Sequence, residues 1–178
     1  MSQVGQIREQ SNCTSLKILK HIIKCIFFNE QSLNWIFSNR CITMKVIIFY
    51  VLLLFIPVKS ITTNEVYFLN VRFITESIIL SLFYYFILFL LLPVKGISSG
   101  GFIRIFLSIE GINVFMLLSL YLNKNGLVIL YSIIIGWYFT LSVFAIYKIT
   151  QSRYKKAIFI VSIAFLLTNF ISVVLNSL

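Results

Sequence analysis

Glu110 stands near the middle of Phe102–Leu122 (FIRIFLSIEGINVFMLLSLYL), a run otherwise apolar and long enough to cross a membrane. Placing an acid at that depth costs about 2.5–3.5 kcal/mol even on the mildest insertion scales. An acid kept there points to a proton relay or to pairing with a buried cation. The bland alternative is a protonated side chain satisfied by a neighbouring helix. Asn113 follows within one helical turn and can hydrogen-bond Glu110 or share a water with it. Gly111 and Ser108 at the same level allow a facing helix to come close. In the next apolar run Ser132, Gly136 and Thr140 recur every four residues. This small, weakly polar stripe is expected to serve helix packing, set against the Glu110 helix, with Ile134 facing lipid. Tyr131 and Tyr138 could add hydroxyls there, but tyrosine is too frequent in this chain to single them out. Glu76 is a weaker candidate, placed four residues after Arg72, where a snorkelling ion pair explains it better than catalysis does. Arg104 reads as an interfacial anchor at the start of its helix.

Little else in the chain carries chemistry. There is no Walker sequence, no GxGxxG, no paired histidine ligands and no serine or cysteine nucleophile arrangement. Cys13, Cys25 and Cys41 are odd in number and lack CxxC spacing, so with His21 they suggest reduced structural thiols rather than a metal or redox site. The chain is therefore expected to bind no cofactor itself. Its chemistry is proton or ion movement, or it belongs to a partner.

The elements that must hold Glu110 follow from composition. Of 178 residues 60% are hydrophobic and 11% charged, and the mean hydropathy is +0.99. A soluble domain is nearer about half apolar and about a quarter charged, so the expected class is an all-α integral membrane protein. The 18 Phe and 9 Tyr against three alanines and no Asp fit an AT-rich organelle or endosymbiont genome. The net charge of +10 is explained by the positive-inside rule and anionic head groups, not by nucleic acid.

Residues 1–43 form a basic N-terminal extension in which Thr14–Phe28 reads as an amphipathic helix. Leu16, Leu19, Ile22, Ile23, Ile26 and Phe27 lie on one face, with Lys17, Lys20, His21 and Lys24 largely on the other. A transit peptide is the rival reading. Residues 44–72 hold a short apolar segment, Val46–Val58, below the ~20 residues of a full span; it is a marginal, tilted or re-entrant crossing. Phe73–Pro93, Phe102–Leu122, Leu127–Tyr147 and Ala157–Val174 are better spans with short connections. The expected architecture is thus an antiparallel bundle of four or five transmembrane helices with an N-terminal amphipathic helix. Lys95, Arg104, Lys148, Arg153, Lys155 and Lys156 gather at one end, which is then the cytoplasmic or matrix side.

Gly96–Gly126 (GISSGGFIRIFLSIEGINVFMLLSLYLNKNG) and the following LVILYSIIIGWYFTLSVFAIYK resemble chain 4L of NADH:ubiquinone oxidoreductase, respiratory complex I. That family is a small three-helix membrane subunit whose second helix carries a Ser-Ile-Glu or Ser-Leu-Glu step, matched here by Ser108-Ile109-Glu110. The resemblance covers residues 73–150 and implies that Glu110 is the family's membrane glutamate. It implies a mitochondrial inner-membrane location, basic loops toward the matrix, other membrane-arm subunits and lipids as partners, and a non-redox part in proton translocation. Two departures stand out. The family's usual second glutamate is missing from the third helix, which reads IIIGWYF, and the chain is longer at both ends, with residues 151–178 adding a basic loop and a further span. These departures favour the alternative of a purely structural subunit in another respiratory assembly, such as ATP synthase or cytochrome oxidase. An independent transporter is disfavoured, because neither an internal repeat nor a second polar cluster is present.

Overall fold

The computed structural model describes residues 14–61, 65–67, 71–92 and 98–177, and within these the side chains of all but 71–73 and 175–177. Chain order runs α1 (Ser15–Ile26), α2 (Glu30–Ser38), a 3-10 turn (Arg40–Ile42) and α3 (Thr43–Leu53). A hairpin of β1 (Val58–Lys59) and β2 (Val66–Tyr67) follows, then α4 (Val71–Leu91) and α5 (Ser99–Ile109). Without a break in direction α5 passes into a 3-10 helix, Glu110–Tyr121, and the chain ends in α6 (Lys124–Thr150) and α7 (Tyr154–Ser177).

Local chemistry sets many of these boundaries. Thr14 and Asn29 cap α1 and α2 by accepting from the amides of Lys17 and Ser32. Ser98 and Asn123 cap α5 and α6 by accepting from Gly101 and Gly126. Each cap satisfies a first-turn amide with no partner in its own helix. Phe28 turns the chain between α1 and α2 at φ 59°, and Gln151 ends α6 at φ 49°.

Among the described residues, four helices are long and apolar enough to cross a membrane: Ile74–Leu91, Ser99–Tyr121, Lys124–Thr150 and Tyr154–Val174. They correspond to the four longer spans expected from the sequence, and α7 packs on both α4 and α6. The marginal segment is resolved into α3 and a non-helical tail. Thr43 at its start bonds Arg104, and the Lys59 amide just past its end bonds Ser119 Oγ. It therefore covers the same stretch as residues 104–119 of the neighbouring helix. Eleven helical residues rise only about 16 Å, and the non-helical residues after Leu53 make up the difference. α2 meets the Arg40–Leu53 stretch at 83°, so this pair is either a broken span or a re-entrant loop.

The N-terminal helices do not stand apart. α1, α2 and α3 all pack on α5. The buried face of α1 is Ile18, Ile22, Cys25 and Ile26; of the expected apolar face only Ile22 and Ile26 are covered, while Leu16, Leu19, Ile23 and Phe27 are exposed. Arg104 is a buried clamp rather than a surface anchor. Its guanidinium donates to the carbonyls of Ile36 (3.0 Å) and Phe37 and to Thr43 Oγ1 (3.1 Å), joining the end of α2 and the start of α3 to α5. Gly101 makes room for this seat, since a Cβ there would stand 2.8 Å from the Phe37 ring and carbonyl. Trp137 Nε1 donates to the Ile26 carbonyl (2.9 Å) and fastens the other end of the N-terminal layer to α6. Cys41 is disulfide-bonded, contrary to the expectation of reduced thiols, whereas Cys25 is a buried free thiol.

Candidate functional site

Three helices converge on Glu110, which is 6% exposed. One carboxylate oxygen accepts from the hydroxyls of Tyr85, Tyr138 (3.1 Å) and Ser81 (3.3 Å); the other accepts from Asn113 Nδ2 (2.7 Å). Ser81 and Tyr85 lie one turn apart on α4 and Tyr138 is on α6, so the acid ties α4 and α6 to its own helix. No lysine, arginine or histidine side chain bonds it among the described residues. Among the described residues it is therefore held by neutral donors and not by a buried cation. Hydrogen bonds to a charged group contribute about 1.5–3 kcal/mol each, so four donors suffice to offset an insertion cost of about 2.5–3.5 kcal/mol.

The 3-10 form of residues 110–121 decides what else shares the Glu110 face. Twelve residues is far beyond the usual few for this helix. At three residues per turn, side chains at i and i+3 eclipse one another, which sets Glu110, Asn113, Met116 and Ser119 in one file. The helix repeat expected from sequence would have carried Met116 and Ser119 progressively off that face. Contacts from outside hold the file: Ser119 Oγ accepts from the Lys59 amide (3.1 Å), and the Leu122 carbonyl accepts from Lys59 Nζ (3.0 Å). At the upper end, Gly111 lets α1 in, since a Cβ there would lie 2.9 Å from Ile26 Cδ1 and 3.2 Å from Ile22 Cγ2.

A cavity of about 300 Å³ runs beside this file. Glu110, Asn113 and Met116 line it from the 3-10 helix, Ser77 and Ser81 from α4, and Tyr131 from α6. Tyr50 and the non-helical residues after α3 close its remaining wall. Tyr131 also donates to the Lys59 carbonyl (2.9 Å). Among the described residues the buried Tyr50 hydroxyl sits beside Ser81 and the Tyr84 hydroxyl beside Ser142, yet neither pair closes a well-formed hydrogen bond. Buried polar groups left in this state commonly bond water.

Of the residues singled out from sequence, Glu110 and Asn113 are brought together as expected. Ser132, Gly136 and Thr140 are not: all three are exposed and turned away from Glu110. Ser132 and Thr140 donate to carbonyls of their own helix, and nothing lies within 4 Å of a Cβ built on Gly136. Ile134, expected at the lipid surface, is 5% exposed. The stripe fails because four-residue spacing marks a face without saying which face is covered. Glu76 is half-buried on α4 but does not line the cavity, and the side chain of Arg72 lies outside the described residues. Sequence reasoning missed Tyr85 and Ser81 and left Tyr138 unassigned. Their one available signal was the spacing Ser77, Ser81, Tyr85 on a single face of α4.

The arrangement can hold, release and pass on a proton. It offers no activated nucleophile, and no cluster of His, Cys, Asp and Glu able to hold a metal occurs among the described residues. Comparison with known proteins finds no matching family model, no matching curated protein and no matching solved structure.

Proposed function

We propose that this chain is a multi-pass, non-redox membrane-arm subunit of proton-pumping NADH:ubiquinone oxidoreductase in the mitochondrial inner membrane, its basic loops toward the matrix. In this reading Glu110 exchanges protons within a path completed by partner subunits, and lipid covers the rest of the exposed apolar surface. The carrying observation is the Glu110 carboxylate itself: buried mid-span, held by four neutral donors, unpaired with any described cation and open to a cavity that can take water. Hydroxyls that both donate and accept are suited to passing a proton along. The Ser108-Ile109-Glu110 step on the middle one of three closely connected helices supports the family assignment.

The test is Glu110→Gln. Its amide oxygen can still accept from Tyr85, Tyr138 and Ser81, and Asn113 can turn its own amide to accept from the new NH₂. The complex is therefore expected to assemble and oxidise NADH while pumping fewer protons per electron pair. Normal pumping in an assembled Glu110→Gln complex removes Glu110 from the mechanism.

A structural subunit of another respiratory assembly is the second reading. It is favoured by the full set of donors on Glu110 and by the absence of any acid in α6. Migration in a native gel with ATPase or oxidase activity, instead of NADH-oxidising activity, decides for it.

A further inference from the structure

We infer that Glu110 is reached by water from one side only, through a half-channel that runs along the 3-10 file to the β1–β2 hairpin and is closed toward the basic loops by an aromatic plug. The inference builds on the reading of Glu110 as a proton-exchanging acid and adds the direction from which protons arrive.

Geometry supplies both halves. From Glu110 to Ser119 the 3-10 helix rises about 18 Å, and along that length the file meets the hairpin at Lys59. At roughly 30 Å³ per water, a cavity of about 300 Å³ has room for about ten. Its wall carries hydroxyls at several levels, among them Tyr50, Ser77 and Tyr131, and the Tyr50 hydroxyl closes no well-formed hydrogen bond among the described residues. Non-helical backbone at membrane depth is tolerated where it is buried in protein or lines water. The residues that follow α3 line this cavity, so they meet that condition.

In the other direction aromatic rings fill the contact between α4 and α5. Tyr85 lies against Phe106 (5.5 Å between ring centroids), Phe106 against Phe102 (4.5 Å) and Phe102 against Phe89 (5.8 Å). Phe102 and Phe106 are fully buried, as are Leu88 and Ile105 beside them. Ser108 and Arg104 are also buried on this side, but they donate to main-chain carbonyls, and Ser142, one turn after Tyr138 on α6, sits beside Tyr84.

The experiment uses the intact complex in sealed membrane vesicles of known orientation. Ser77→Cys and Leu54→Cys place thiols in the cavity without touching a group bonded to Glu110, and Phe102→Cys places one in the plug. A membrane-impermeant cationic methanethiosulfonate is added to one side at a time, and labelled peptides are read by mass spectrometry. The native Cys25 thiol is 1% exposed and pushed up to about 12 by burial, so it stays unlabelled. Ser77→Cys and Leu54→Cys are expected to label from the hairpin side at least tenfold faster than Phe102→Cys, and not from the basic-loop side. Labelling only from the basic-loop side, or at the plug rate from both, overturns the inference. Hydroxyl-radical footprinting of the unsubstituted complex gives a second reading that needs no variant. Met116 in the cavity should oxidise readily and Phe106 should not; protection of Met116 equal to that of Phe106 also overturns it. Labelling from the hairpin side together with normal pumping by Glu110→Gln upholds the half-channel and rejects only the relay. Impaired pumping without labelling does the reverse.

Discussion

Gly111→Ala is the sharpest test of how the N-terminal layer is locked to the Glu110 helix. The added Cβ would stand 2.9 Å from Ile26 Cδ1, 3.2 Å from Ile22 Cγ2 and 3.3 Å from Phe49 Cε1. Overpacking of this kind costs about 1–3 kcal/mol, while exchanging Gly for Ala inside a helix returns at most about 1 kcal/mol. The worst contact is with the far end of a flexible side chain, so a net loss of about 1 kcal/mol is expected. Ile26→Val removes that atom and alone costs about 0.5–1.5 kcal/mol. Combined, the two substitutions should be less damaging than their sum by at least about 0.5 kcal/mol, the lower bound for side chains in contact. Unfolding by SDS titration in mixed micelles measures all four corners of the cycle. Gly136→Ala is the control: with nothing within 4 Å of its Cβ, it should be neutral or slightly stabilising. Strict additivity of Gly111→Ala and Ile26→Val, or equal losses at Gly111 and Gly136, would refute the close seating of α1.

Gly136→Leu, disruptive if the Ser132 stripe faced Glu110, should leave the isolated chain's unfolding midpoint almost unchanged; a loss comparable to that of Gly111→Ala would return the stripe to the interior. Arg104→Met leaves the Ile36 and Phe37 carbonyls without their donor. At about 1–3 kcal/mol for each buried unsatisfied group, it should release α2, seen as new protease cleavage near residue 38. His21 is held below its ordinary 6.5 by burial first, then by Lys17, Lys24 and Lys20. Its docked form thus favours the neutral ring, so α1 docking is constant above about pH 6.5 and weakens as the pH falls below it. Hydrogen exchange of α1 amides, corrected for intrinsic rates, checks the sign, and His21→Gln should flatten the response.

How much of this could be read from the chain depends on what each residue competes with. Glu110 was legible because a lone acid in an apolar run has no rival explanation in composition. Asn113 was legible because its distance of three positions brings it to Glu110 in either kind of helix. Tyr85 and Tyr138 were hidden among 9 tyrosines, and only the crossing of α4 and α6 picks them out. The 3-10 form of residues 110–121 has no local cause beyond Gly111; it comes with contacts made by Lys59 and α1, both distant in sequence. Likewise, the length of Val46–Val58 could not say that α3 plus a non-helical tail reaches the same level as a longer helix. Arg104 reads from sequence as an interfacial anchor because its partners are main-chain carbonyls, which sequence never displays.

The Trp137–Ile26 bond carries a consequence for the order of assembly. Its two ends are 111 residues apart, and the Arg104–Ile36 bond spans 68. α1 and α2 are synthesised before any of the surfaces that receive them. They must wait for α5, and for the part of α6 that carries Trp137, before either can take its final place. A basic amphipathic helix can wait at a membrane surface with its apolar face in the interface and its lysines in water. On that order of events Ile18, Ile22 and Ile26 are surrendered to the bundle on docking, while the exposed Leu16, Leu19 and Ile23 are the side chains left to face the interface.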